Sequence, residues 1–67
     1  MNFTVYSKDG CPYCTQIKRV LDLCDFKYRE YKLDEHFDRF AFYEEFGGSA
    51  TFPQVQLNGK KLGGCTD

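Results

Sequence analysis

The stretch Cys11-Pro12-Tyr13-Cys14 does most to limit what this chain can become. It lies between a strand-like run, Phe3 to Ser7, and a set of apolar residues at helical spacing. A strand that turns through Lys8-Asp9-Gly10 straight into a helix puts both thiols at the helix start, the expected layout of a redox site. The thiolate is the reactive form of cysteine, and the positive end of a helix lowers a thiol's pKa from about 8.5 toward about 3.5–7.5. A second thiol one helical turn on is close enough to form or resolve a disulfide. The spacing therefore predicts thiol–disulfide chemistry.

At 67 residues the chain is a single domain, 1–67. A domain of this size buries only about 60% of its unfolded surface, so its stability margin is thin. Five Tyr and seven Phe are enough to fill a small core. The net charge of −1, with signs mixed along the chain, offers no electrostatic footprint for nucleic acid or an anionic membrane. Met1 to Tyr6 lacks the basic and apolar regions of an export signal, and no apolar run approaches the roughly 18 residues of a membrane span. The expected compartment is the cytosol, where cysteines are usually reduced and a C-x-x-C is more often catalytic or metal-binding than structural.

Pro12 suits the first helical turn, and Ile17, Val20, Leu21 and Cys24 fall on one face of a helix that ends near Asp25. On this reading Cys24 is an inert packing residue. Phe26 to Leu33 reads as a second strand. Asp34 is the expected N-cap of a second helix running to Phe46 and stopped by Gly47-Gly48, with Phe37, Phe40 and Ala41 on one side. Val55 and Leu57 alternate with Gln54 and Gln56, Asn58-Gly59 is a two-residue hairpin turn, and Lys60 to Leu62 return before Gly63-Gly64 break the strand. The order β-α-β-α-β-β predicts an α/β fold, a mixed four-stranded sheet with helices on both faces.

Three separated motifs then resemble the glutaredoxins, a thioredoxin-fold family, over essentially the whole chain. Cys11-Pro12-Tyr13-Cys14 resembles the dithiol active site of that family, Thr51-Phe52-Pro53 its Thr-Val-Pro loop with a cis proline, and Gly63-Gly64-Cys65-Thr66-Asp67 its Gly-Gly-Cys-x-Asp glutathione motif. The resemblance implies a glutathione-dependent oxidoreductase that reduces protein disulfides and glutathione mixed disulfides. Cys11 would attack and Cys14 resolve. Glutathione would be the co-substrate, with disulfide-containing or glutathionylated proteins, a ribonucleotide reductase among them, as partners. A monomer is expected, with no metal, nucleic acid or membrane.

The glutathione site implied by the resemblance comprises Lys8, Tyr13, Thr51, Phe52, Pro53, Gly64, Cys65, Thr66 and Asp67. Lys8 would favour the thiolate and a ligand carboxylate, and Tyr13 would wall the ligand. The Phe52 backbone would pair with the extended tripeptide, as a strand edge does. The N–H groups of residues 65–67 would receive a carboxylate, and the Asp67 side chain would accept from an α-amino group. Three departures stand out. Phe52 occupies a position where the family usually has valine. The helix position that often carries an Arg or Gln toward the glycine carboxylate falls on Phe40, with Arg39 beside it either a substitute or a solvated helix charge. The chain stops at Asp67, where the family continues into a C-terminal helix, so a truncated domain lacking that helix is expected.

Other readings are weaker. Cys11, Cys14, Cys24, Cys65 and His36 could supply zinc ligands, but a structural zinc site usually shows a second close pair, and none exists here. His36 reads as a surface residue. A redoxin fed by a thioredoxin reductase is disfavoured by the Gly-Gly-Cys-Thr-Asp run. A shared iron–sulfur cluster goes in the family with a Cys-Gly-Phe-Ser type site.

Overall fold

The computed structural model describes residues 2–64. They form β1 (Phe3–Ser7), α1 (Pro12–Leu23), β2 (Tyr28–Lys32), α2 (Arg39–Phe46), β3 (Gln54–Leu57) and β4 (Lys60–Gly64). The sheet order is β2-β1-β3-β4. β1 pairs parallel with β2 and antiparallel with β3, which pairs antiparallel with β4. The expected thioredoxin-like α/β architecture is thus present, with β1 central.

Alternation along β1 sends Val5 and Ser7 to one face and Tyr6 to the other. On the first face the buried Ser7 hydroxyl donates to Glu30 at 2.6 Å, and Lys18 of α1 pairs with the same carboxylate oxygen at 2.8 Å. On the second, Tyr6 meets Phe37 and Phe46 edge-on, at centroid distances of 5.5 and 4.9 Å. The two helices therefore cover opposite faces.

The elements differ from expectation at their ends. α1 stops at Leu23 because Asp25 takes the left-handed conformation, φ 58. The Asp25 and Phe26 N–H groups then bond back to the carbonyls of Asp22 and Leu21, closing a Schellman turn. The residues assigned to an early second strand are used in that turn, and β2 begins at Tyr28. Cys24 caps the helix and is exposed, not packed. The buried stripe runs through Cys14 and Leu21; Val20 lies roughly 120° around the helix from Cys14 and is 51% exposed.

The second helix starts four residues later than Asp34 suggests. Asp34 sits at φ 69 in a tight turn, its N–H bonded to the Phe37 carbonyl at 2.7 Å. Asp38 is the N-cap, its carboxylate accepting from the Ala41 N–H at 2.8 Å. The later start turns Phe42 into the core and leaves Phe40 75% exposed and Ala41 outside.

Asn58 and Gly59 both have positive φ, 53 and 83, as a two-residue primed turn requires. The Gly-Gly pair does not break β4. The register steps by one residue between Val55 and Gln56, and Gly63, at φ 101, absorbs the bulge, so the strand continues to Gly64.

Candidate functional site

The site is assembled where β1 runs into α1. Gly10 takes φ 70, a conformation cheap only for glycine, and turns the chain into the helix. Cys11 then occupies the N-cap with an extended backbone, and Pro12 follows inside the first turn. The Cys11 sulfur accepts the Cys14 N–H at 3.2 Å, the bond that a serine or aspartate oxygen makes at other helix starts. No acidic residue lies in the first turn to neutralise the positive end of the helix. Sequence reasoning placed Cys11 near that end but missed that its sulfur is the cap. Pro12 immediately after it was the available signal.

The second sulfur has a different environment. Cys14 is 2% exposed. Burial first, then its hydrogen bond to the Cys11 sulfur, pushes the Cys14 thiol up to about 12, against a lowering bond from the Lys8 backbone. One sulfur is thus held by helix donors at the edge of the core, and the other is kept as a buried thiol beneath it.

The Thr51-Phe52-Pro53 loop closes over this pair, with the Phe52–Pro53 bond cis. The Phe52 carbonyl, expected to be free for a ligand, accepts from the Cys11 thiol at 3.8 Å. The Phe52 ring lies flat on Phe42, with centroids 4.1 Å apart and planes 9° apart. Phe37 lies nearly parallel to both rings. Cys11, Cys14, Phe42 and Phe52 form one buried cluster, so this aromatic core is continuous with the two cysteines. Phe42 is the participant that the sequence hid: one of several aromatics in a short helix, it gives no sign that it supports the loop.

Gly64, at the end of β4, pairs with Gln54 and stands against the same loop. A Cβ there would lie 3.1 Å from the Pro53 carbonyl oxygen and 3.3 Å from the Thr51 hydroxyl. The second motif and the Gly63-Gly64 start of the third are therefore brought together by strand pairing. Tyr13 stands 40% exposed on the first turn of α1. The Lys8 ammonium sits over the Phe52 ring, 5.3 Å from its centroid. Arg39 is exposed at the start of α2, with no contact that ties it to the sulfurs among the described residues. The calls on Cys65, Thr66 and Asp67 lie outside the described residues. Among the described residues no group of His, Cys, Asp and Glu is arranged to hold a metal, and no helix is long and apolar enough to cross a membrane.

This geometry has counterparts. The family model for glutaredoxin matches residues 3–62. The chain is 41% identical over 64 residues to a glutaredoxin of Ricinus communis, covering 91% of this chain and 63% of that protein. It is 35% identical over 66 residues to Glutaredoxin-C6 of Oryza sativa subsp. japonica, covering 94% and 59%. It thus spans about three fifths of the length of these curated relatives. Among solved structures it is similar to the buckwheat glutaredoxin–glutathione complex, with a TM-score of 0.79 and 33% identity over 94% of this chain and 60% of that one. Glutaredoxin 1 from Francisella tularensis, complexed with cacodylate, gives a TM-score of 0.75 and 27% identity over 94% and 81%. On fold, site order and sequence together, the chain belongs to the glutaredoxin family.

Proposed function

We propose that the chain is a thiol–disulfide oxidoreductase that exchanges electrons with glutathione through Cys11 and Cys14. The observation that carries this reading is the inequality of the two sulfurs. Cys11 caps α1 and accepts a backbone N–H at 3.2 Å, while burial holds Cys14 as a thiol. A nucleophile needs the first environment, and a resolving thiol, exposed only when the first sulfur is engaged, suits the second.

With a glutathione mixed disulfide, the Cys11 thiolate attacks the glutathione sulfur, and the S–S bond breaks. The partner leaves as a thiolate and takes up a proton. A second glutathione thiolate then attacks the Cys11–glutathione disulfide, releasing oxidised glutathione and regenerating Cys11. With a protein disulfide, the Cys11 thiolate attacks one sulfur and the other leaves as a thiolate. Cys14 then loses its proton and attacks the Cys11 sulfur of the mixed disulfide, which breaks and releases the partner's second thiolate. The Cys11–Cys14 disulfide that results is reduced by two glutathiones. Exchange of this kind suits a cytosolic glutathione pool and protein disulfides such as that of a ribonucleotide reductase.

The glutathione complex of the buckwheat relative supports the choice of co-substrate. In this reading Lys8, Tyr13, Thr51, Phe52, Pro53 and Gly64 contact the tripeptide, together with Cys65, Thr66 and Asp67. The test is turnover of a glutathione mixed disulfide by the wild type, Cys11→Ser and Cys14→Ser. Cys11→Ser is expected to abolish turnover and Cys14→Ser to retain it; equal rates in all three would sink the mechanism.

A further inference from the structure

The Phe52 ring meets both aromatic rings and a cation. Phe42 lies parallel to the ring with centroids 4.1 Å apart, Phe37 lies nearly parallel at 6.3 Å, and an ammonium stands over the ring 5.3 Å from its centroid. That ammonium belongs to Lys8, on the turn between β1 and α1. The carbonyl of Phe52 takes the Cys11 thiol at 3.8 Å. A single residue thus touches both the attacking sulfur and the cation three positions before it. The carboxylate next to Lys8 along the chain does not compete: Asp9 is paired with Lys32 at 2.8 Å.

A lysine side chain has a flexible four-carbon stem and a strongly hydrated head, so an unsupported ammonium on a turn is spread over many positions. An aromatic face attracts it electrostatically and restricts that spread. Here the ring is itself fixed, 8% exposed and stacked on Phe42, so it offers a stationary platform. An aliphatic side chain at this position would have no such face to offer.

We propose that Phe52 is a positioning residue, whose ring holds the Lys8 ammonium beside Cys11 and so favours attack of that sulfur on anionic disulfides and electrophiles. The proposal rests on reading Cys11 as the attacking thiol. It assigns the ring a role separate from that of the Phe52 backbone.

The test compares alkylation of Cys11 by iodoacetate and by iodoacetamide, followed by site-resolved mass spectrometry. The ratio of the two rates reports the local positive charge without any need for glutathione, so it stands apart from the mixed-disulfide assay of the functional reading. Phe52→Leu and Lys8→Met are each expected to lower the iodoacetate-to-iodoacetamide ratio about threefold, the scale of one partly exposed cation–π contact. Phe52→Tyr, which keeps the ring, should leave the ratio near the wild-type value. In a Lys8→Met background, Phe52→Leu should change it no further. Phe52→Leu also removes the stack on Phe42, so a trifluorinated phenylalanine is incorporated in place of Phe52. It keeps the shape while draining the ring face of charge, and should lower the ratio as Phe52→Leu does. The proposal is overturned if the fluorinated protein keeps the wild-type ratio, or if Phe52→Leu lowers it equally with and without Lys8. It is also overturned if Lys8→Met leaves the ratio unchanged.

Discussion

Gly64 shows how much can turn on one hydrogen atom. Replacing it with alanine puts a Cβ 3.1 Å from the Pro53 carbonyl oxygen, a backbone atom that can yield only by moving the loop over Cys11. Alanine also reduces the entropy of the unfolded chain, a gain of about 0.4–1 kcal/mol. Overpacking of this kind costs about 1–3 kcal/mol, so the clash wins. Gly64→Ala should lower the urea midpoint by an amount equivalent to about 1 kcal/mol. Gly48→Ala, with open space around it and no positive φ, should instead raise it slightly. The sequence shows both glycines as parts of Gly-Gly pairs. Only the strand register separates the one that must be small from the one that need not be.

At the scale of the element, the ends were harder to read than the middles. β1 and the start of α1 were legible because alternation and Pro12 each permit one answer. Two aspartates compete to start α2, and local chemistry does not choose between them. The choice is made by packing: Phe37 must reach Tyr6, so residues 34–37 turn before the helix begins at Arg39. Asp38→Ala should therefore cost about 1 kcal/mol in urea unfolding through loss of the cap to Ala41, and Asp34→Ala should lose no cap. Unchanged stability in Asp38→Ala would remove this cap as the start of the helix. Cys24 was misplaced for a related reason. The helix is rotated so that Cys14 lies under Cys11, and a face chosen by counting apolar residues could not anticipate that the reactive pair sets the rotation.

Across the whole molecule, the faces of the sheet carry different kinds of interaction. The α2 face is aromatic, whereas the α1 face is joined by the Ser7–Glu30–Lys18 cluster. Burial works against the Glu30 carboxylate, but hydrogen bonds from Lys18 and Ser7 outweigh it and hold the carboxyl below its ordinary value. A carboxyl lowered by folding adds stability that is complete above its unfolded value and is lost as pH falls through the folded one. Urea unfolding from about pH 7 down to about pH 3 should show this loss in the wild type and a flatter acid limb in Glu30→Gln. Parallel curves would remove the cluster from the account of acid stability. Nothing in the alternation of β2 marks Glu30 as inward-facing. The topology and the placement of the first two motifs were legible because periodicity and turn chemistry specify them, whereas contacts between distant side chains require the assembled sheet.

The cap on α1 also separates two jobs that a single sulfur performs. Serine is among the best helix-starting residues but a poor nucleophile, so under the proposed mechanism Cys11→Ser should remove the reaction and leave the scaffold its first hydrogen bond. Alanine would take both away. In this chain, losing the catalyst and losing the architecture are therefore different events, told apart by which atom follows the β-carbon of residue 11.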